Sequence, residues 1–165
     1  MAKDKELATD GGGVKLIAQN RRARHDYEII DTFEAGLSLL GTEVKALREG
    51  KASLGEGYAR LDRGEAFLYS VHIGHCEGGN RFNHDPERAR KLLLHRMEIQ
   101  RLKGRVEEKG LTLIPLKLYF RRGRAKVEVG VAKGKTHFDR RHDIAKRDAD
   151  RAIDRALSSQ QRGKE

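Results

Sequence analysis

The chain has no tryptophan, one cysteine and two prolines, and aromatic residues make up 5% of it. So few aromatics argue against an extended platform on which successive unpaired bases stack. Cys76 has no second cysteine to pair with, which excludes an intrachain disulfide and suits a reducing compartment. Apolar runs are short too, none approaching the roughly 18 residues of a membrane span. The opening MAKDKELATDGGG lacks the apolar segment of a secretory leader. A cytoplasmic chain without membrane association is expected.

Charge is what the sequence has in abundance. Charged residues make up 36%, and 35 Lys+Arg against 25 Asp+Glu leave a formal +10. Such a surplus favours polyanionic partners, nucleic acid first among them. At 165 residues and 37% hydrophobic content, one domain of ordinary size can form while part of the chain stays outside its core.

Residues 1 to 13 are polar and end in three glycines, which predicts a mobile arm. Short β-type stretches begin at Leu16: Tyr27, Ile29 and Phe33 keep odd positions apolar, and Leu37 to Leu40 read as a hairpin return after Ala35-Gly36. Thr42 is placed to cap a short helix that Gly50 stops. Tyr58 to Leu61 and Ala66 to Ile73 form a second hairpin around Gly64, followed by a loop over residues 74 to 84. Asp85-Pro86 opens a helical region, most clearly helical from His95 to Lys109, which Gly110 ends. Thr112 to Phe120 and Ala125 to Val131 are the last strands, with Pro115 arguing for an edge or a bulge in the first of them.

The expected fold is mainly β: an OB-like barrel of about six antiparallel strands with short flanking helices over residues 14 to 132. Beyond it, residues 133 to 165 carry ten basic and six acidic residues around a thin stripe of Ile144, Ala145, Ala149, Ala152, Ile153, Ala156 and Leu157. Such a stripe buries too little to offset ordering entropy, so the tail is expected to be disordered in isolation and helical on a partner. The alternative is a helix packed permanently on the barrel.

Three constellations invite catalytic or metal chemistry, and each has a plainer explanation. GVAKGKT (residues 130 to 136) resembles a P-loop but has one residue too few between its glycines, and a polar tail follows it. Lys133 and Lys135 remain useful as point charges for phosphate. His72, His75, Cys76 and His84 could supply zinc ligands, yet their spacing matches no common finger. His25-Asp26, read as neighbours on a strand, would point to opposite faces and have no nucleophile beside them. No enzyme activity, metal or cofactor is expected. NRRARHDYEI (residues 20 to 29), by contrast, combines three arginines, an Asn, a His and a Tyr, a set suited to phosphates, base edges and one stacked base. Glu34 and Glu43 are carboxylates that could accept a base amino group or a 2′-hydroxyl, though Glu43 also suits a helix start.

Taken in order, NRRARHDYEI, EAGLSLLGTEVKALREGKASL (34 to 54), GEAFL (64 to 68), NHDPERARKLLLHRMEI (83 to 99) and VAKGKTHFDRRHDIAKRD (131 to 148) resemble the small protein B family of SsrA-binding proteins. The resemblance implies an OB-type barrel that binds the tRNA-like part of transfer-messenger RNA and brings it to stalled ribosomes for trans-translation. It also implies that elongation factor Tu takes part through the RNA and that the tail enters the empty messenger channel beyond the decoding centre. It implies RNA contacts by Asn20, Arg21, His25, Tyr27, Glu34, Lys45, Leu93, Lys126 and Lys133. Ribosome contacts fall to Gly134 as a hinge, Lys135, Asp139, Arg140, Arg141, Lys146 and Arg147. The chain departs from the family at Gly74 to Cys76, where Pro-Tyr is usual, at Ala145, and at Arg140, where Lys is usual. A monomer is expected. The rival reading from residues alone is a general OB-fold ribosomal or RNA-chaperone protein.

Overall fold

The computed structural model describes residues 9–10, 13–77 and 83–162. Most of the expected N-terminal arm and the centre of the loop expected at 74 to 84 lie outside the described residues, as does the end of the tail.

Short strands β1 (Thr9–Asp10) and β2 (Val14–Gln19) are paired antiparallel, so Thr9 and Asp10 of the expected arm join the sheet. A single-turn helix α1 (Ala23–Asp26) leads into β3 (Tyr27–Leu37), then α2 (Gly41–Arg48) and β4 (Ala52–Ser53). There follow β5 (Tyr58–Asp62), β6 (Glu65–Tyr69), β7 (His72–Ile73) and β8 (Arg90–Leu93). Helix α3 (Arg96–Lys109), β9 (Thr112–Arg121), β10 (Arg124–Gly134) and α4 (His137–Arg162) complete the order.

The pairing β9-β10-β3-β8-β6-β5 closes on itself through Ala59 of β5 opposite Leu113 of β9, giving a ring of six antiparallel strands among the described residues. This is the barrel that the alternating segments predict. Strand β2 adds to β9 outside the ring, and β4 pairs with β7 separately. Closure leaves few open strand edges. Leu118, Val127, Val129, Leu68 and Leu92 point inward and are essentially fully buried. Each contributes on the order of 1.5–3 kcal/mol by leaving water. Leu47 of α2 and Leu102 of α3 reach the same core.

The hairpins β5-β6 and β9-β10 turn through Arg63-Gly64 and Arg122-Gly123, all four at positive φ, as two-residue turns between twisted strands require. Gly50 and Gly110 stop α2 and α3 in the left-handed conformation. Pro115 lies opposite Val129 beside a register shift on β9, the bulge that its missing N–H favours.

Several expectations are corrected. There is no hairpin at Ala35-Gly36: β3 runs unbroken for 11 residues, because β10 and β8 pair with it on either side across that point. The region opened by Asp85-Pro86 is not helical throughout, since residues 90 to 93 form β8 with Arg90 and Leu92 inward and Lys91 and Leu93 outward. Ser70, at φ 52°, breaks the strand expected over 66 to 73 into β6 and β7. Thr42 does not cap α2: the Glu43 carboxylate accepts the Leu40 N–H at 2.8 Å instead.

One polar cluster ties these elements together. Fully buried Glu43 accepts from Arg88 Nε at 2.8 Å and Nη2 at 2.5 Å, and from fully buried Arg90 Nε at 2.8 Å. Arg90 also donates to the Val71 and Pro86 carbonyls. Burial alone would raise the Glu43 pKa, but the arginines and the Leu40 N–H outweigh it and hold the carboxyl below its ordinary value. Glu43 therefore welds α2 to β8 and the segment before it, the structural role of the two considered for it.

The tail runs as one helix whose Ile144, Ile153 and Leu157 are 46%, 57% and 57% exposed. The expected stripe from Ile144 to Leu157 is exposed along its length.

Candidate nucleic-acid interface

Strand β3 organises the candidate residues into two groups. Near its C-terminal half, Lys126 of β10 pairs with Gly36, and Gly36 pairs with Leu93 of β8, so the three lie in one row across the outside of the barrel. Gly36 gives Leu93 room: a Cβ at that position would lie 3.2 Å from Leu93 Cβ, a tight contact. Leu93 is 54% exposed. Glu34, two residues back on the same face, accepts the Tyr119 hydroxyl, lies 3.2 Å from Arg121 Nη1 and pairs with Lys126 Nζ at 3.6 Å. Tyr119 and the two cations hold the Glu34 carboxyl below its ordinary pKa. Burial and the neighbouring Glu34 push the Tyr119 hydroxyl above the usual phenol range, so it remains a donor. Lys45 is exposed on α2, the helix that follows β3.

The second group gathers at the start of β3. Tyr27 pairs with Gly134 and Glu28 with Lys133. Seven residues of extended chain separate Tyr27 from Glu34, so the groups are about 24 Å apart. Arg21 and Arg24 are exposed around α1. His25 and Asp26 are not on a strand, as the sequence suggested, but at the end of α1, where His25 Nδ1 and Asp26 Oδ1 are 2.9 Å apart. That contact, with Arg22 and Arg140 nearby, holds Asp26 below its ordinary pKa. Asn20, at 8% exposure, differs from its neighbours: its Oδ1 accepts the Ala23 N–H at 3.1 Å and its Nδ2 donates to the Leu54 carbonyl at 3.3 Å. Its side chain shapes the arginine turn from beneath. Between the groups, Ile29 and Tyr27 pack on Ile114, Leu116 and Ala132 in a small second apolar cluster.

The junction with the tail is polar. The Lys135 N–H donates to the Asp26 carbonyl at 3.0 Å, and its Nζ donates to the Arg24 carbonyl at 2.9 Å and pairs with Asp143. Thr136 and Asp139 cap the start of α4 reciprocally: Thr136 N–H to Asp139 Oδ2 at 3.1 Å and Asp139 N–H to Thr136 Oγ1 at 3.3 Å. Arg140 Nη2 donates to the Lys135 carbonyl. Gly134 is the last residue of β10, while Arg141, Lys146 and Arg147 are exposed on α4. Lys133 to Thr136, Tyr27 and Asp139 line a cleft of about 540 Å³. The sequence reading missed the Thr136-x-x-Asp139 cap, for which the spacing is the local signal, whereas the Lys135 anchor, reaching a carbonyl 111 residues earlier, has no local signal.

The other constellations find structural uses. GVAKGKT begins as strand, with Gly130 to Gly134 paired to β3, and forms no loop around a phosphate. His84 engages Thr42 Oγ1 at 3.1 Å and the Ile73 carbonyl at 2.9 Å through its two ring nitrogens, and His75 Nε2 meets the His84 carbonyl at 3.1 Å. Among the described residues no group of three or more His, Cys, Asp or Glu is arranged to hold a metal ion. No helix among them is long and apolar enough to cross a membrane.

Comparison with known proteins gives this arrangement a family. The model of the SmpB protein family matches residues 17–159. The chain belongs to the SmpB family. An SsrA-binding protein of Pelotomaculum thermopropionicum is 59% identical over 149 residues, covering 90% of this chain and 97% of its own. Those of Saccharopolyspora erythraea and Enterococcus faecalis are 58% and 56% identical, each over 92% of this chain and over 96% and 98% of their own. A solved chain described as "tmRNA-SmpB: a journey to the center of the bacterial ribosome" is 56% identical, with a TM-score of 0.61 over 72% of this chain and 84% of that one. The SmpB match spans both groups on β3 and most of α4.

Proposed function

We propose that the chain binds transfer-messenger RNA and acts with it on stalled ribosomes in trans-translation. The observation that carries this reading is the near full-length identity to SsrA-binding proteins, joined to a solved relative described with that RNA and the ribosome. In this reading the barrel, residues 14 to 132, holds the tRNA-like part of the RNA. Arg21, His25, Tyr27 and Lys133 grip it at one end of β3, Asn20 holds the arginine turn in shape, and Lys126, Leu93, Glu34 and Lys45 engage it at the other. Glu34 Oε1, with Lys126 as its neighbour, keeps acceptor capacity for a 2′-hydroxyl or base amino group. The tail from residue 133 serves the ribosome: Gly134 and Lys135 set its direction, while Arg140, Arg141, Lys146 and Arg147 meet ribosomal RNA in the empty messenger channel. Asp139 acts through the helix start it caps. Elongation factor Tu joins through the RNA.

The work is positional, with no bond made or broken by the protein, and it takes place in the cytoplasm where ribosomes are. Filter binding of transfer-messenger RNA against an unrelated tRNA at matched salt tests it. A preference of tenfold or more is expected; equal affinities would make the chain a general RNA chaperone and overturn the proposal.

A further inference from the structure

Glu34 stands on the outer face of the barrel with a second carboxylate opposite it, since Glu128 of β10 is its cross-strand partner. Like charges in that position repel, and the surroundings offset each one separately. Glu128 pairs with Lys117 Nζ at 3.6 Å, whereas Glu34 is held by Tyr119 and Arg121 of β9 and by Lys126 of β10. The two oxygens of Glu34 are treated differently. Oε2 accepts the Tyr119 hydroxyl and lies 3.2 Å from Arg121 Nη1, while Oε1 has Lys126 Nζ at 3.6 Å, beyond hydrogen-bond length. Tyr119 lies opposite Lys126, in the row that Gly36 and Leu93 continue, and turns outward between Leu118 and Phe120, which face the core. It is buried all the same, beneath a Glu34 side chain that is 33% exposed.

We infer that Tyr119 is a positioning residue of the RNA site: its hydroxyl, bound to Oε2, turns Oε1 of Glu34 outward as a fixed acceptor for an uncharged O–H or N–H donor of the RNA. The inference rests on the RNA-binding reading above and adds to it a residue that a surplus of cations would not single out. A carboxylate flanked by Arg121 and Lys126 would otherwise settle into a two-pronged pair with a cation, and such a pair would use up the acceptor. Both cations sit on flexible side chains that can follow the carboxylate as it turns. A buried phenol offers one neutral donor from a fixed place. Burial and the neighbouring Glu34 push the pKa of that hydroxyl upward, so it remains a donor. The consequence is selectivity: a phosphate is repelled from Oε1 and left to Lys126, while a 2′-hydroxyl or a base amino group is accepted.

The test uses the full-length chain and purified transfer-messenger RNA. Affinity is measured for the unaltered chain, for Tyr119→Phe, for Glu34→Ala and for the two changes together, with Tyr69→Phe on β6 as the control for loss of a tyrosine hydroxyl. Tyr119→Phe is expected to weaken binding about fivefold, as weakening one hydrogen bond to a charged acceptor would, with Tyr69→Phe unchanged. In the Glu34→Ala background the same change is expected to cost nothing further. A purely structural tyrosine would weaken binding equally in both backgrounds. Equal losses, or unchanged binding by Tyr119→Phe, overturn the proposal. Carboxyl-carbon NMR of Glu34 in the free chain supplies a second measurement that needs no RNA. Its titration midpoint, held below the ordinary 4.5 first by Tyr119 and then by Arg121 and Lys126, with Glu128 opposite, is expected to move upward in Tyr119→Phe. An unmoved midpoint overturns the positioning role. Failure of the unaltered chain to prefer transfer-messenger RNA would instead remove the RNA reading itself and leave the NMR result standing.

Discussion

The barrel and the tail are both rich in charge, yet they use it in opposite ways. In the barrel, buried Glu43 and Arg90 and half-buried Arg88 spend their charge on one another and on carbonyls, so that it fixes the relation of α2 to β8. In α4, Arg141, Lys146, Arg147 and Arg151 stand in solvent, and Ile153 and Leu157 remain uncovered beside them. Charge inside a closed ring specifies structure, whereas charge on a helix that buries almost nothing is available to a partner. The junction at Lys135, 15% exposed along its side chain, belongs to both regimes.

The comparison breaks most visibly if the two regions are separated. Ending the chain after Lys135 is expected to abolish peptide tagging on stalled ribosomes, while the urea midpoint of the barrel stays where it was and RNA affinity falls by no more than about fivefold. A matching collapse of the midpoint would show that the barrel depends on α4.

Within the barrel, Glu43→Ala leaves Arg90 buried without its counter-charge and should cost about 3–5 kcal/mol of unfolding free energy, read by urea denaturation. Arg151→Ala on the tail should change that free energy by less than about 0.5 kcal/mol. The same pair sharpens with pH. The folded pKa of Glu43 lies below its ordinary value of 4.5, so its stabilisation is complete above that value and is lost as pH falls through the lowered one. The unaltered barrel should therefore lose stability in acid more steeply than Glu43→Gln, and parallel acid limbs would deny Glu43 that role.

Smaller effects probe the surface. Thr136→Ala removes half of the α4 cap and should cost about 1 kcal/mol of helix stability, seen as lower helical ellipticity with no change in the barrel midpoint. Lys126→Ala should make the salt dependence of RNA binding shallower by about one phosphate, and an unchanged slope would place Lys126 away from the backbone.

Much of the fold was legible where local pattern and tertiary demand agree. Val127, Val129 and Val131 alternate with polar residues and form β10, and Gly110 ends α3 where its spacing said it would. Strand β8 was hidden because RKLL is too short to display period two, and its inward arginine reads as a surface residue until Glu43 is placed beside it. The join of Ala35-Gly36 misled because glycine suggests a turn, whereas here it makes room for Leu93. In the candidate site, Arg21, His25, Tyr27 and the tail cations could be named from the sequence, but their division between two ends of β3 could not. Nor could the burial of Asn20.

By itself the sequence favoured a polyanionic partner, through its surplus of cations, and determined the family, through ordered blocks of residues that survive without any knowledge of where they sit. It also determined most strands and helices, because alternation, helical spacing and turn residues are local properties of the chain. Only the tertiary structure decided that six strands close through Ala59 and Leu113, that Glu43 belongs to the core, and that arginines near residue 21 share a cleft with Lys146 and Arg147. Those are contacts between segments 40 to 130 residues apart, set by the packing of the whole ring, and no local pattern encodes them.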